Sequence, residues 1–482
     1  MTQSEKRFLG ITVLSPFFQN EGVKAVLDNL INNGVTAVAC NTSVTVPSRE
    51  GEGSWQPPHD AGASVRLFDR PLWGEQALWL RSGPGHKANR DFYANSHYKP
   101  RDPNDLTTSE GPIIGEFIRT AKARGLKVYI QTSATQPPGM RPEDTPHLPD
   151  GRVAEGRMAN TGCLASPAVR RYINAWTQDI FEQYPEVDGI RPDWPEYPCY
   201  KLDEAFQDFN PHVKAWAEAH GFNYDRIHES VLRFYRYLHD GKLTNDDLVD
   251  FASQESGRYA ITRFYNQYPG IADWFRLKAA LSTDLLQVWC NAIKTHGGRE
   301  KELAANAFMP SFSYFTGLDF ANAAPICESI APKLYTMHWA LMIKFWGDTL
   351  MKHNPSLDET LLVKTLVNLF DMTDGANDEM VGDTLAYYHY PEPDEPHPVS
   401  YAVQRRKINQ VTAAVGGPKR STQIYPLVHG YGPHDDFRHR FQIAADAVAA
   451  NEADGIWINR YGYLSDEKLT AVGEVWRKTV LD

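Results

Sequence analysis

The chain is poor in the features that hold metals, nucleotides or disulfide frameworks. Its five cysteines, Cys40, Cys163, Cys199, Cys290 and Cys327, are odd in number, scattered and free of C-x-x-C spacing. They therefore read as buried reduced thiols rather than as a disulfide scaffold or zinc site. No G-x-G-x-x-G follows the first strand-like run and no G-x-x-x-x-G-K-[ST] occurs, so the usual phosphate cradles are missing and no cofactor is expected. H-E-x-x-H is also absent. One stretch, with His429, His434, His439, Asp435 and Asp436, is rich in possible ligands, but its acids fall where a helix begins and the helix dipole accounts for them, so no metal is expected. No apolar run approaches the length of a membrane span, and residues 1–6 are polar and lead straight into a strand-like run. The expectation is a cytoplasmic protein with no membrane partner. Lysine and arginine nowhere cluster, and the net charge is −11, which argues against nucleic acid as a partner.

What the sequence has in quantity is aromatic and proline residues: 12% Phe, Trp and Tyr, with twelve tryptophans and 32 prolines. That mixture suits structured loops that stack on a flat ligand better than it suits a helical bundle. Strand-like runs begin at Phe8, Thr36, Lys127, Val187, Glu302, Pro332, Thr422 and Gly455, with helical patterns between them. Alternation favours a parallel sheet with crossover helices, and eight units favour a closed (β/α)8 TIM barrel of the α/β class spanning residues 1–482. Two stretches are too long for ordinary connections. Residues 43–110 carry Trp55, Trp73, Trp79, Phe92, Tyr93 and Tyr98 and are expected to form an ordered lid, and residues 199–270 read as a helical insertion after the fourth strand.

The most informative run is VDGIRPDWPEYP, residues 187–198. Side chains alternate along a strand, so Gly189, Arg191 and Asp193 share one face and Ile190 and Trp194 the other. An arginine and an aspartate on one face of an otherwise buried strand need a partner or a function. Pro192, Pro195 and Pro198 stop regular pairing at about Asp193 or Trp194, leaving Asp193 at the tip. Barrel chemistry is placed at the C-terminal ends of strands. The expected tips are Ser15, Asn41, Gln131, Arg191 with Asp193, Asn306, His338 with Trp339, His429, and Asn459 with Arg460 and Tyr461. Amides, imidazoles, guanidinium groups and aromatic faces suit a hydroxyl-rich ligand, which makes carbohydrate the expected partner.

The strand-four run, together with KLYTMHW, DGIWINRYGYLS and ANAFMPSFSYFTGLD, resembles the barrel domains of predicted glycoside hydrolases, a loose group related to α-amylase-like and β-galactosidase-like barrels. Gly189-Ile190-Arg191-Pro192-Asp193 is similar to the G-x-R-x-D of the α-amylase superfamily. That resemblance implies Asp193 as the nucleophile, braced by Arg191. The chain departs from the pattern at strand five, which ends in NAFM without a carboxylate, and at strand seven, which ends in His429. A glycosidase needs a second carboxyl group within ~5–9.5 Å of the first. Glu196, three residues beyond Asp193, is within reach of it, and Glu255 in the insertion is the other candidate. Glu379 and Asp319 stand behind them, Asp319 reading more simply as a helix-start residue. The expectation is therefore glycoside hydrolysis through Asp193 and Glu196 or Glu255, with Arg191, Gln131, Trp194, Asn306, His338, Trp339, His429, Asn459, Arg460 and Tyr461 around the sugar. A lyase or isomerase on the same barrel and a non-catalytic carbohydrate-binding barrel are the competing readings. Homo-oligomer formation is left open.

Overall fold

The computed structural model describes residues 7–59, 65–253, 257–373 and 381–481. Eight parallel strands close on themselves. They are β1 (Phe8–Thr12), β2 (Ala37–Cys40), β3 (Lys127–Ser133), β4 (Gly189–Asp193), β5 (Glu302–Ala307), β6 (Ser329–Leu334), β7 (Gln423–Ile424 and Leu427–His429) and β8 (Gly455–Asn459). Each pairs with its neighbour in sequence order, and β8 pairs back onto β1, Thr12 opposite Asn459. This is the (β/α)8 barrel expected from the alternation. Pro426 splits β7, because it has no N–H for the ladder, yet its carbonyl still accepts from the Trp457 N–H at 3.0 Å.

The lumen is filled in tiers. Its lower part is apolar: Ala37, Ala39, Tyr129, Ala304, Ala331, Tyr425, Leu427 and Trp457 pack together, with Phe8 against them. Small residues on β2, β5 and β6 make room for the large rings from β3, β7 and β8. Gly10 is part of that fit, since a β-carbon there would come within 2.4 Å of the Trp457 ring. The helices between strands cover the outside. Helix Pro167–Gln183, capped by Ser166, leads into β4, and the 27-residue helix Gly270–His296 leads into β5.

Both long connections are ordered where described. Residues 43–110 contain an antiparallel sheet of Ser43–Pro47, Ser54–Gln56 and Leu78–Pro84. Their alternation is interrupted by Gly and Pro, which hid the strands from a periodicity reading. The insertion forms helices Leu202–Ala205, Pro211–Ala219, Tyr224–His239, Asn245–Ala252 and Gly257–Gln267. It is tied to the outer helices by Leu243 N–H to Asn354 and to the 135–165 loop by His147 N–H to Asp208.

Strand six differs from expectation. It runs Ser329–Leu334 and is followed at once by helix Thr336–His353, so KLYTMHW is the end of a strand and the start of a helix. His338 and Trp339 lie in the first helical turn and not at a strand tip. Trp339 is buried with Phe312 and under the Lys407 ammonium, which makes it a packing residue. Tyr461 also leaves the mouth. It is buried on the outer side, donates to Glu21 at 2.8 Å, accepts from Asn29 and carries Arg70 over its ring.

Candidate active site at the end of strand four

Above Trp457 the lumen turns polar. The Arg191 guanidinium lies over the indole, its Cζ 3.6 Å from the ring centre, and is wholly buried. It donates to Asn306 Oδ1 at 2.7 Å, Gln131 Oε1 at 3.2 Å and Thr12 Oγ1 at 3.3 Å. Burial pushes its pKa down to about 10, which leaves it a cation at neutral pH. These bonds correct one expectation: the guanidinium is spent on three neutral oxygens, and the cation that touches Asp193 is another residue. Lys333 Nζ, from β6, sits 2.6 Å from Asp193 Oδ1 and is almost fully covered, whereas the Asp193 side chain keeps 20% of its surface. The ammonium also lies over the Trp194 ring at 4.5 Å. Burial lowers the Lys333 pKa, opposed by the charges of Asp193 and Glu196.

Glu196 is placed beside this pair by the turn that follows β4. Trp194 takes a positive φ of 56°, which reverses the chain, and Tyr197 anchors it by donating to Asp208 at 2.9 Å. Glu196 is completely buried. One of its oxygens accepts from the Phe308 N–H at 2.8 Å, tying the turn to the end of β5, and Oε2 has no hydrogen-bond partner among the described residues. Burial raises the carboxyl pKa to about 8, against the pull of Lys333 and the Phe308 N–H and with the push of Asp193. Near neutrality it is thus mostly the protonated acid.

The other tips surround this centre. Asn306 keeps a buried Nδ2 without a partner among the described residues, and Asn459 is buried opposite both Thr12 and His429. His429 Nδ1 accepts from the Tyr431 N–H at 3.1 Å. Burial, with Arg66, Arg460, His338 and Arg440 nearby, holds its pKa well below the usual imidazole value. A neutral ring that accepts at Nδ1 carries its proton on Nε2. Tyr335, half-buried, stands edge-on to His429 at 4.9 Å and to His338 at 5.7 Å. Arg460 follows β8 directly and lies over Tyr463 at 5.9 Å. Asp319 is a helix cap, accepting from the Ala321 N–H. Glu255 and Glu379 lie outside the described residues. Among the described residues no group of three His, Cys, Asp or Glu is placed to hold a metal ion, and no helix is long and apolar enough to cross a membrane.

Beside the centre is a cavity of about 970 Å³. Asn41, Gln131, Ser133 and Gln136 line it from the barrel and its loops, residues of the 83–101 segment line it from the lid, and Tyr172 and Trp176 from the helix before β4. Gln131 and Ser133 connect it to the centre, being the register partners of Arg191 and Asp193. The lid tryptophans Trp55 and Trp79 instead meet each other, edge to face at 6.0 Å.

Lys333, Tyr335, Thr12 and Trp457 were not anticipated. Lys333 carries the same signal that marked Arg191, a cation inside an apolar run (SIAPKL). It was masked by placing the strand end five residues too late.

No family model and no curated protein matches the chain. Its fold is similar to solved β-galactosidases from psychrophilic Marinomonas ef1 (TM-score 0.51, 10% identity) and from the haloarchaeon Halorubrum lacusprofundi (TM-score 0.51, 12% identity). In each case 98% of this chain is covered, but only 59% and 58% of the other. The catalytic domain of a β-amylase from Paenibacillus polymyxa aligns over 98% of both chains with a TM-score of 0.46 and 11% identity. At these identities the likeness to the two β-galactosidases establishes the barrel and nothing finer.

Proposed function

We propose that the chain is a glycoside hydrolase acting on an oligosaccharide or glycoside, with the whole chain serving as one catalytic barrel. The observation that carries this reading is the unlike pair at the end of β4: Asp193, partly open to the mouth and paired with Lys333, and Glu196, buried and held protonated near neutral pH. A carboxyl group in an ion pair beside a second one that burial keeps protonated is the kind of unlike pair that glycosidic cleavage requires. Asp193 acts as nucleophile or base on the anomeric centre. Glu196 supplies the proton for the departing oxygen. Gln131, Asn306, His429, Asn459 and Tyr335 offer hydrogen bonds to ring hydroxyls. Support also comes from the strand-four resemblance and from neighbours of the same fold that are glycosidases.

One observation favours a second assignment of the acid. Glu196 is wholly covered, and a proton donor has to reach the leaving oxygen directly or through one water. In that assignment Glu196 only fixes the β5 end through Phe308, and Glu255 is the acid. Kinetics on Asp193→Ala, Glu196→Gln and Glu255→Gln separate the cases. Asp193→Ala is expected to abolish turnover, with partial rescue by azide. The variant of the true acid loses most on poor leaving groups and least on activated aryl glycosides. Wild-type turnover by Asp193→Ala refutes the site.

A further inference from the structure

The mouth is unusually rich in positive charge for a chain whose net charge is −11. Three cations converge there from different strands: Arg191 from β4, Lys333 from β6 and Arg460 after β8. Arg460 and Arg191 both lie within electrostatic reach of the Tyr335 phenol, as does Asp193. Against them stand Asp193 and Glu196, and the buried Glu196 carboxyl, with its pKa near 8, contributes little negative charge at neutral pH. The bonds of Arg191 go to neutral oxygens only, and Arg460 makes no ion pair among the described residues, with its Nε buried and unpartnered. The excess holds without Arg66, which is engaged in interactions of its own.

The adjoining cavity repeats the pattern. Arg101 and Arg157 line it. Arg157 donates to the Thr161 carbonyl and hydroxyl, both neutral, and its Nε is buried without a partner among the described residues. Glu204 and Asp208 lie within electrostatic reach of it, but their oxygens accept from Met158, Lys201, His147, Asn210 and Tyr197 instead. Arg101 makes no ion pair among the described residues. The one acid in the lining, Asp179, is already occupied by His86 at 2.9 Å, the Asn89 N–H at 2.8 Å and Tyr93. Tyr172 and Trp176, one helical turn apart, add aromatic faces. Guanidinium groups without an ion-pair partner at the wall of a cleft, Arg101 exposed and Arg157 half-buried, focus a field that favours anions and disfavours cations.

We propose that the substrate is an acidic glycan: a sugar ring with an oxyanion, carboxylate or sulfate ester, bound near Arg460, and a second such ring in the cavity against Arg101 and Arg157. The inference rests on the glycosidase reading and narrows it. Its test uses matched substrates with the same linkage. Polygalacturonate, hyaluronan and chondroitin, each beside its carboxyl-reduced form, and sulfated beside desulfated chondroitin, are offered to the wild-type chain for reducing-end release and to Asp193→Asn for binding by calorimetry. The expected result is at least a tenfold higher kcat/KM and tighter binding for the charged member of one pair. Arg460→Gln and Arg157→Gln should each remove about tenfold of that preference, the worth of one charge-assisted contact. The carboxyl-reduced and desulfated arms identify which oxyanion is read. Cleavage of neutral members with no preference for their charged partners overturns the inference while hydrolysis stands. Tighter binding of a charged member to Asp193→Asn without turnover in the wild type upholds the inference and refutes hydrolysis. Equal or absent binding of both members of every pair overturns it.

Discussion

The lower and upper tiers of the barrel lumen are built by the same rule and filled with opposite chemistry. In both, every second residue of each strand points inward. Below, those positions hold Ala37, Ala39, Tyr129, Ala304 and Trp457, an apolar packing that stabilises by burial. One step further along the same strands, Gln131 follows Tyr129, Arg191 follows Gly189, Asn306 follows Ala304 and Lys333 follows Ala331. Nothing in folding asks for that change. Burying Arg191, Lys333 and Glu196 carries a desolvation penalty that their mutual contacts offset only in part. The packed floor ends, and the site proposed above begins, between the Trp457 ring and the guanidinium over it.

The largest effect should come from the Lys333–Asp193 ion pair, whose cation also lies within electrostatic reach of Glu196. Lys333→Met leaves Asp193 without its ion pair, and removing one member of a covered pair costs about 3–5 kcal/mol; because Asp193 is partly exposed, the low end is expected. Urea unfolding should show that loss, and the Glu196 carboxyl should titrate still higher once the neighbouring positive charge is gone. Unchanged stability would mean that the buried charges of the upper tier do not depend on one another.

Glu196 sets the upper tier apart from the lower one in its response to pH. Its folded pKa is raised, to about 8 from an ordinary 4.5, so between those values the native state holds a proton that the unfolded chain has released. The unfolded state then binds fewer protons, and stability falls as pH rises through that window. Glu196→Gln removes the dependence. Relative to wild type it should gain on the order of 3 kcal/mol between pH 5 and pH 8, measured as the difference of two unfolding series. If Glu196 is the acid, the alkaline limb of the wild-type rate profile falls near the same pH.

Arg191→Lys tests the seam between the tiers. A lysine keeps the charge but loses the guanidinium contact over the Trp457 ring and the simultaneous bonds to Asn306, Gln131 and Thr12. A loss of about 2 kcal/mol in stability is expected, accompanied by a fall in kcat. The strand-four resemblance alone, with Arg191 as a brace for Asp193, predicts loss of activity with little effect on melting. The structure predicts both together.

These variants also show how much was legible beforehand. The barrel, its strand order and the tip at Asp193 followed from hydrophobic alternation and from prolines that forbid pairing. Gln131, Asn306, His429 and Asn459 fell inward because strands three, five, seven and eight were placed in the right register. A strand six that begins at Pro332 puts its tip at His338 and Trp339 and leaves Lys333 unmarked, whereas the strand runs Ser329–Leu334. A period-two pattern has no fixed start when the run is apolar throughout, as Ser329–Leu334 is apart from Ser329 and Lys333. Tyr461 was misplaced because the inward alternation ends at Asn459, where β8 ends. The partner of Asp193 was not legible because it comes from a strand 140 residues away, and spacing along a chain carries no information about that contact.

The smallest expected effect lies outside both tiers, in the lid. Trp79 and Trp55 face each other across the small antiparallel sheet, while the lid residues that line the cavity come from the 83–101 segment. Trp79→Ala should therefore lower unfolding stability by about 1 kcal/mol, the worth of an edge-to-face pair, and leave KM unchanged. Trp176→Ala, on the cavity wall, should lose a similar amount of stability, since Trp176 stands edge to face with Trp289 at 5.9 Å. Unlike Trp79→Ala it should also raise KM several-fold as an aromatic face for the sugar is lost, with the helix before β4 still anchored by its buried residues Ile173 and Ile180. If Trp79→Ala raises KM and Trp176→Ala does not, the sugar lies under the hairpin and not in the cavity beside β3. The cleft that reads charge would then have to be sought on the lid side of the mouth.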